Sequence, residues 1–182
     1  MTNNGLVLNS DKTRVMVMSS AHKHRKHGNF DIKLNTGNEV ILPVECETPL
    51  GANISNNFTW NQHLRDDKKS LFNKLRQKLG ILRKICSICD FRTRKMIAEG
   101  LFMSNLIYAI QVYGACSKYL VSMLQTQQNI VARYVTKLPF LTPTNSLLSQ
   151  CGWLSVKQLI KYHSLVLLFR TFKEKKPNDT YT

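Results

Sequence analysis

The segment that decides the fold runs from Trp60 to Lys84 and reads WNQHLRDDKKSLFNKLRQKLGILRK. Its large apolar residues recur at the spacing of a helix with about 3.6 residues per turn, so they share one face. They are Leu64, Leu71, Phe72, Leu75, Leu79 and Leu82. Thr59 precedes the segment and is a suitable N-cap. The pattern predicts a long amphipathic helix that begins near Trp60.

The residues that follow predict a second and a third helix. Asp90 is placed to cap the second helix, and Gly114 lies near its end. Its predicted apolar face contains Met96, Ile97, Leu101, Leu106, Ile107 and Ile110. The third helix is expected from Ser117 to Thr136, because Pro139 and Pro143 stop it. Its inward residues would be Leu120, Leu124, Ile130, Val131 and Tyr134, with Gln125, Gln127 and Gln128 as a polar stripe.

The last part of the chain predicts a short helical segment and then a longer helix. Leu147 and Leu148 mark the short segment. The longer helix is expected from Ser155 to about Lys173, with Leu159, Ile160, Leu165, Leu168 and Phe169 on its apolar face. The segment Lys175-Lys176-Pro177-Asn178 looks like a frayed tail.

The first 59 residues have a different pattern, that of short strands and turns. Apolar residues alternate in 6–8 and 30–34, and a β-prone run occupies 15–18. The segments 30–34 and 40–44 flank Asn35-Thr36-Gly37-Asn38, which predicts a hairpin. The expected fold class is therefore α+β and mainly α. We expect strands in 1–59, a helical region in 60–137, and further helices with a frayed tail in 138–182.

Charge is the strongest functional signal of the composition. The 182 residues include 26 Lys and Arg against 11 Asp and Glu, a formal net charge of +15, and 43% of them are apolar. There is enough apolar material for a core, and the basic excess predicts an anionic partner. No secretory signal and no membrane span is visible, and five scattered cysteines do not resemble a disulfide framework. We expect an intracellular protein, nuclear or cytoplasmic, with free thiols.

The densest charge lies across the junction of the first two predicted helices. Residues 68–95 contain ten basic side chains and one acid, Asp90, for a net charge of +9 in 28 residues. The basic residues are Lys68, Lys69, Lys74, Arg76, Lys78, Arg83, Lys84, Arg92, Arg94 and Lys95. Lys and Arg that neutralise phosphates release condensed counterions, so this stretch predicts nucleic-acid binding. A membrane surface and an ordinary solvated helix face are the alternatives.

The residues alone indicate no metal site and no active site. Cys86 and Cys89 have the spacing of half a zinc site, but no second half accompanies them, which favours packing cysteines. His22, His24 and His27 form a basic loop without a fourth ligand nearby. Asp66-Asp67 is the only acidic pair, and its expected place inside a basic helix favours surface charge over metal binding.

Five motifs in order resemble the downstream part of a reverse transcriptase of non-LTR retrotransposons. They are NGLVLNSDKT at 4–13, PLGANI at 49–54, TWNQHL at 59–64, LQTQQN at 124–129 with Arg133, and CGWLSV at 151–156 with Gln158-Leu159 and Tyr162-His163. The likeness covers nearly the whole chain. It implies that 1–59 are the end of a polymerase palm, 60–137 a thumb, and 138–182 the helices after the thumb.

The resemblance also implies roles for two residues and a class of partner. Lys12 would lie near the departing pyrophosphate, although a local structural lysine is the alternative. Gly51 would belong to the primer grip, where a glycine lets the backbone approach the primer end; alternatively, it serves a turn. The basic helices would hold RNA or an RNA–DNA hybrid, and the remainder of the polymerase would be a partner.

The chain departs from that family in the residues that perform the chemistry. The family's two palm motifs with metal-binding aspartates lie upstream of the matching segment, so the Mg²⁺ implied for the intact enzyme has no ligands here. We expect a fragment that begins inside the palm, is inactive alone and retains template–primer binding. The alternative is a repurposed basic helical module that binds nucleic acid or a protein partner.

Overall fold

The structure, a computed structural model, describes residues 9, 12–20, 22–23, 34–35, 40–85 and 87–174. The chain forms two compact units, residues 1–66 and 67–182. The fold class is α+β and mainly α, as the sequence predicts. The predicted division at residues 59 and 137 stays a prediction. Within the described part of the chain, no helix is both long and apolar enough to cross a membrane.

Two short antiparallel ladders occur in the first unit. Strand β1 (Leu34–Asn35) pairs with β2 (Val40–Ile41), which confirms the central ladder of the predicted hairpin. Strand β3 (Cys46–Glu47) pairs with β4 (Ile54–Ser55). The predicted strand at 15–18 is wrong in extent, because only Val15 forms a bridge, to Pro43. The predicted strand at 6–8 lies outside the described residues.

The first unit buries little apolar surface among its described residues. Ile41, Ala52 and Leu64 are its buried apolar side chains. Leu64 belongs to a π-helical turn, Gln62–Asp66, whose buried His63 accepts a hydrogen bond at Nδ1 from the Asn53 backbone N–H at 3.3 Å. Polar contacts of this kind, rather than a large core, hold the segment together.

The second unit is helical. Its helices are α1 (Leu71–Ile85), α2 (Phe91–Ala98), α3 (Ser104–Ile107), α4 (Ile110–Tyr113), α5 (Lys118–Thr136), α6 (Thr144–Cys151) and α7 (Val156–Glu174). A π-helical segment, Glu99–Met103, joins α2 to α3. Helix α5 contacts α1, α2, α6 and α7, so it is the centre of the bundle.

Capping chemistry places two helix starts where the sequence predicts them. The Asp90 carboxylate accepts a hydrogen bond from the Thr93 backbone N–H at 3.3 Å. A hydrogen bond with the Thr93 side chain, together with backbone N–H bonds, lowers the pKa of Asp90 below its usual value. The Ser117 hydroxyl accepts from the Leu120 N–H at 3.4 Å. These bonds satisfy backbone donors that have no partner inside the helix.

The predicted helix that begins near Trp60 is interrupted. A helical turn forms directly after Trp60, where the Leu64 N–H donates to the Trp60 carbonyl at 2.9 Å and Gln62–Asp66 are π-helical. Regular α-helix begins only at Leu71, after a turn. In that turn the Asp67 carboxylate accepts from the Lys69 N–H at 2.9 Å, and the buried Ser70 accepts from the Asn73 N–H at 3.4 Å. Short polar side chains of this type compete for backbone groups and so interrupt the helical pattern.

The second predicted helix is interrupted as well. Ala109 has φ of 54°, which separates α3 from α4. The buried side chains of this region include Phe102, Leu106 and Tyr113, and the Tyr113 hydroxyl donates to the Leu106 carbonyl. Met96, predicted inside, is exposed. Because of this break, α3 and α4 do not share one helical axis. A single apolar periodicity across both therefore does not predict which of their residues are buried.

A buried polar network corrects the expected polar stripe of α5. Gln127 and Gln128 are buried, and Gln128 donates from Nε2 to the Leu154 carbonyl at 2.8 Å. Gln125 accepts at Oε1 from the Val156 N–H at 2.8 Å and donates from Nε2 to Gln128 Oε1 at 2.9 Å. The amides of Gln125 and Gln128 therefore fix the start of α7 on α5. Gln127 Oε1 is buried without a hydrogen-bond partner among the described residues.

Helix α7 packs only through its first half. Ser155 and Gln158 form a capping box, in which Gln158 Oε1 accepts from the Ser155 N–H at 2.9 Å. Val156 and Leu159 are buried. The predicted inward positions Leu165, Leu168 and Phe169 are wrong, because all three are more than half exposed, together with Leu167 and Phe172.

Candidate nucleic-acid interface

The exposed side of α1 is lined by cations. Leu71, Leu75, Leu79 and Leu82 are buried against the bundle. Lys74 and Lys78, four residues apart, follow one flank of this buried face, whereas Arg76 and Arg83, seven residues apart, follow the other. Lys84 lies on the side away from the core. The leucines thus fix the orientation of the helix, and the orientation puts its basic residues at the surface.

The structure contains no ion pair between these cations and a described acid. Among the residues that the structure describes, ion pairs join Arg14 to Glu47, Arg65 to Asp66, and Lys95 to Glu99. None of them involves the predicted cations Lys68, Lys69, Lys74, Arg76, Lys78, Arg83, Lys84 or Arg92. Arg76 lies over the ring of Phe72 at 4.9 Å, an arrangement that leaves its charge uncompensated.

Arg94 requires a correction to the predicted surface. Its side chain is 6% exposed. It donates from Nε to the Val135 carbonyl at 2.8 Å and from Nη1 to the Cys89 carbonyl at 2.6 Å. Val135 lies in the last turn of α5, where carbonyls lack helical partners. Arg94 therefore caps a helix from the side and is unsuited to contact a ligand.

Lys95 also differs from the other predicted cations. Its Nζ lies 3.7 Å from Glu99 Oε1, and Glu99 in turn accepts from the Trp153 indole N–H at 2.9 Å. This cluster joins the end of α2 to the segment before α7. The charge of Lys95 is partly compensated, so eight of the ten predicted cations remain as candidates.

A basic pocket continues the Arg76–Arg83 flank. It is lined by Arg83, Ser87, Arg133, Tyr134, Lys137 and Leu138 and has a volume of about 360 Å³. It lies beside the C-terminal ends of α1 and α5. Arg133 and Lys137 are not among the cations that the sequence pattern assigns to the basic surface. Their spacing of four residues on one helix face, just before Pro139, is the signal that could have found them.

The segment after α5 holds Arg133 in place. Lys137 has φ of 58° and ends the helix. The chain then turns, so that the Phe140 carbonyl accepts a hydrogen bond from Arg133 Nη2 at 3.0 Å. The Phe140 ring lies 5.0 Å from the same guanidinium. The Nε atom of Arg133 is buried without a hydrogen-bond partner among the described residues.

The two residues singled out by the resemblance lie in local turns of the first unit. The Lys12 backbone N–H donates to Asn9 Oδ1 at 3.2 Å. Gly51 has φ of +82°, next to Leu50 with φ of 52°, in the short helical turn Pro49–Gly51. A glycine suits this conformation better than any residue with a Cβ atom. The roles in pyrophosphate release and primer grip stay predictions.

The candidate metal ligands are described only in part. Asp66 contacts Arg65 Nε at 2.7 Å, and the Asp67 carboxylate bonds the Lys69 backbone. Asp66 is the last residue of the π-helical turn Gln62–Asp66, and Asp67 lies in the turn between it and α1, so the pair does not lie inside one continuous basic helix as expected. Cys86, His24 and His27 lie outside the described residues. No group of three or more His, Cys, Asp or Glu side chains suited to a metal ion occurs within the described part.

Comparison with protein-family models, with curated protein sequences and with solved structures gives no match to this chain. The geometry of the basic surface is therefore the basis for the functional argument.

Proposed function

We propose that this chain binds nucleic acid through the basic surface of its helical unit, in the manner of the thumb of a non-LTR reverse transcriptase. The preferred ligand is RNA or an RNA–DNA hybrid. The observation that carries the proposal is the set of eight surface cations on and around α1 that no described acid neutralises. A grouping of like charges is unfavourable by itself and becomes favourable when phosphates approach it.

The arrangement suits phosphates rather than base edges. The cations follow two flanks of one helix, and long flexible side chains of this kind bind the backbone without reading sequence. If the four cations of the two flanks, Lys74, Lys78, Arg76 and Arg83, each neutralise one phosphate, the slope of log K against log salt is about −3 to −4. Sequence preference is expected to be weak.

Binding, rather than catalysis, is the proposed role of the chain itself. Two-metal phosphoryl transfer needs carboxylates that converge on one point. Asp66 and Asp67 do not fit a Mg²⁺ site, because one contacts Arg65 and the other bonds the backbone of its own turn. We propose that a polymerase palm with the metal-binding aspartates works together with this segment in a nuclear or cytoplasmic enzyme.

The test is a salt titration of binding to a labelled RNA–DNA hybrid, measured by fluorescence anisotropy. Affinity should fall steeply with salt, and Arg76→Gln or Lys74→Gln should each reduce the slope by about 1 if that flank contacts phosphate. Lys157→Gln, which removes the same charge at an exposed position of α7, serves as the matched control. Affinity that does not change with salt would refute the proposal.

A primer-extension assay tests the division of labour. With primer, template, nucleotides and Mg²⁺, the chain should yield no extension. Extension by the chain alone would show that our account of the aspartates is wrong, while leaving the binding result intact.

A second candidate function is the docking of a protein partner. The observation in its favour is the exposed apolar second half of α7, with Leu165, Leu168, Phe169 and Phe172. Large contiguous apolar surface is typical of interaction sites. Such binding would respond little to salt, so the same titration distinguishes the two functions.

A further inference from the structure

We propose that the basic pocket binds the terminal phosphate of a nucleic-acid strand. The inference rests on the proposed function and adds a specific ligand group to it: a phosphomonoester at a strand end, in preference to an internal phosphodiester. The pocket is the space of about 360 Å³ lined by Arg83, Ser87, Arg133, Tyr134, Lys137 and Leu138.

The charge of the pocket supports a dianionic ligand. Of the described residues, three cations and no acidic side chain line it. The C-terminal ends of α1 and α5 lie beside the pocket, and each contributes about half a negative charge. The cations exceed these dipoles by about two charges. A phosphomonoester carries about −1.5 to −2 at neutral pH, whereas a diester carries only about −1.

The donors of the pocket are partly fixed before any ligand arrives. Arg133 is held by the carbonyl and the ring of Phe140, and one guanidinium nitrogen makes that hydrogen bond. The remaining donors of a planar guanidinium suit two oxygens of one phosphate. Tyr134 also lines the pocket. A fixed arginine loses less conformational freedom on binding than a free surface lysine does.

The concave shape favours a strand end. An internal phosphate has a sugar on both sides and must continue past the pocket in two directions. A terminal phosphate is attached on one side only, so it can turn all of its free oxygens toward the cations of this open pocket while the strand leaves along the Arg76–Arg83 flank.

The test compares three forms of one labelled single-stranded RNA of about 12 nucleotides: with a phosphate at the 5′ end, at the 3′ end, or at neither. The full chain should bind at least one phosphorylated form about tenfold tighter than the hydroxyl form, as expected for added charge-assisted hydrogen bonds. Arg83→Gln and Lys137→Asn should abolish this preference. Asn tolerates the left-handed backbone that Lys137 adopts, which protects the fold.

The control variant is Lys84→Gln, which removes the same charge from the residue next to Arg83 but outside the pocket lining. It should weaken all three RNAs equally and keep the preference. Equal affinity of the three forms for the unaltered chain would overturn the pocket proposal and leave the proposed function standing. Preference that survives in both pocket variants would overturn it too.

A second measurement separates failure of the pocket from failure of the proposed function. Inorganic phosphate at matched ionic strength should raise the melting temperature of the unaltered chain and of Lys84→Gln, but not of the pocket variants. If no RNA binds and this shift occurs, the proposed function is wrong and the phosphate site stands. If neither occurs, both proposals are wrong.

Discussion

Arg92 and Arg94 give the sharpest test of how the basic stretch is used. Both lie on α2, two residues apart, and sequence alone assigns them the same role. In the structure Arg92 is exposed, whereas Arg94 is buried and donates to the carbonyls of Val135 and Cys89. We expect Arg94→Met to lower the free energy of unfolding without a specific effect on nucleic-acid binding. We expect Arg92→Met to weaken nucleic-acid binding and to leave the free energy of unfolding nearly unchanged.

The magnitude follows from the two hydrogen bonds of Arg94. Each bond from a charged donor contributes about 1.5–3 kcal/mol, and its loss leaves a buried carbonyl without that partner. We therefore expect Arg94→Met to lower the free energy of unfolding by about 3–5 kcal/mol. Arg92→Met should change it by less than about 0.5 kcal/mol, as is usual at exposed positions.

Urea denaturation followed by circular dichroism measures the free energy of unfolding, and the salt titration measures the slope for nucleic-acid binding. Arg92→Met should reduce the slope by about 1, whereas folded Arg94→Met, assayed well below its midpoint, should keep it. A stable Arg94→Met variant with a reduced slope would refute our reading of Arg94 and restore it to the binding surface.

Three further predictions concern packing, thiol chemistry and the stability of the two units. A Cβ atom at Gly114 would lie 2.6 Å from both the Ile110 carbonyl oxygen and Ile160 Cγ2, so Gly114→Ala should lower the free energy of unfolding by about 1–3 kcal/mol in urea denaturation. Gly80→Ala, in open space within α1, should instead raise it by about 0.5–1 kcal/mol. An unchanged urea midpoint for Gly114→Ala would contradict the close approach of α4 and α7. Burial raises the pKa of Cys151 from 9.0 to about 11, so its thiol should resist iodoacetamide at pH 8 until the protein unfolds. The free energy of unfolding should decrease as pH rises from about 9 to about 11, because only the unfolded state then releases the thiol proton. Rapid labelling of Cys151 in the folded state, read by mass spectrometry, would contradict this. Limited proteolysis should leave a resistant fragment within 67–174, because the described residues of the first unit bury few apolar side chains; a resistant core that includes residues 6–18 would show the opposite.

The parts of the fold that sequence predicts are those set by local chemistry. Asp90 and Ser117 cap helices because a short acceptor precedes an apolar period, and both signals are read directly from the chain. The leucines of α1 are buried as their spacing predicts. Each of these features depends on residues within one or two turns of one another.

The features that sequence misses depend on distant residues. In the sequence, Arg94 cannot be distinguished from the other basic residues near it, because its hydrogen-bond acceptor, the Val135 carbonyl, belongs to α5. The sequence predicts Gln128 at the surface, because its hydrogen-bond acceptor, the Leu154 carbonyl, lies 26 positions later in the chain. Ala109 has no local feature that favours a positive φ, so the break after α3 reflects the packing of α4 against α7. A charge or a periodic position alone does not reveal such partners.

The candidate site illustrates the same distinction. The charge of α1 can be predicted from the sequence. The pocket cannot, because Arg83, Arg133 and Lys137 come together only where two helices end side by side. The grouping of the cations determines which ligands they can distinguish. Dispersed lysines attract any polyanion, whereas cations around one pocket can select a single phosphate by its charge and geometry.

The two kinds of surface on the helical unit are separable because they lie on different helices and respond to different conditions. The cations belong to α1, α2 and the end of α5, while the exposed apolar residues belong to the second half of α7. Helix α7 contacts α4 and α5 through its first half, where Val156 and Leu159 are buried, so its second half contributes little to the core. We therefore expect that the proposed phosphate binding does not depend on the apolar surface, and that the proposed apolar docking does not depend on the cations. Loss of salt-dependent binding in the charge variants, with the exposed part of α7 unaltered, would assign nucleic-acid binding to the basic surface and leave a separate role for the last helix.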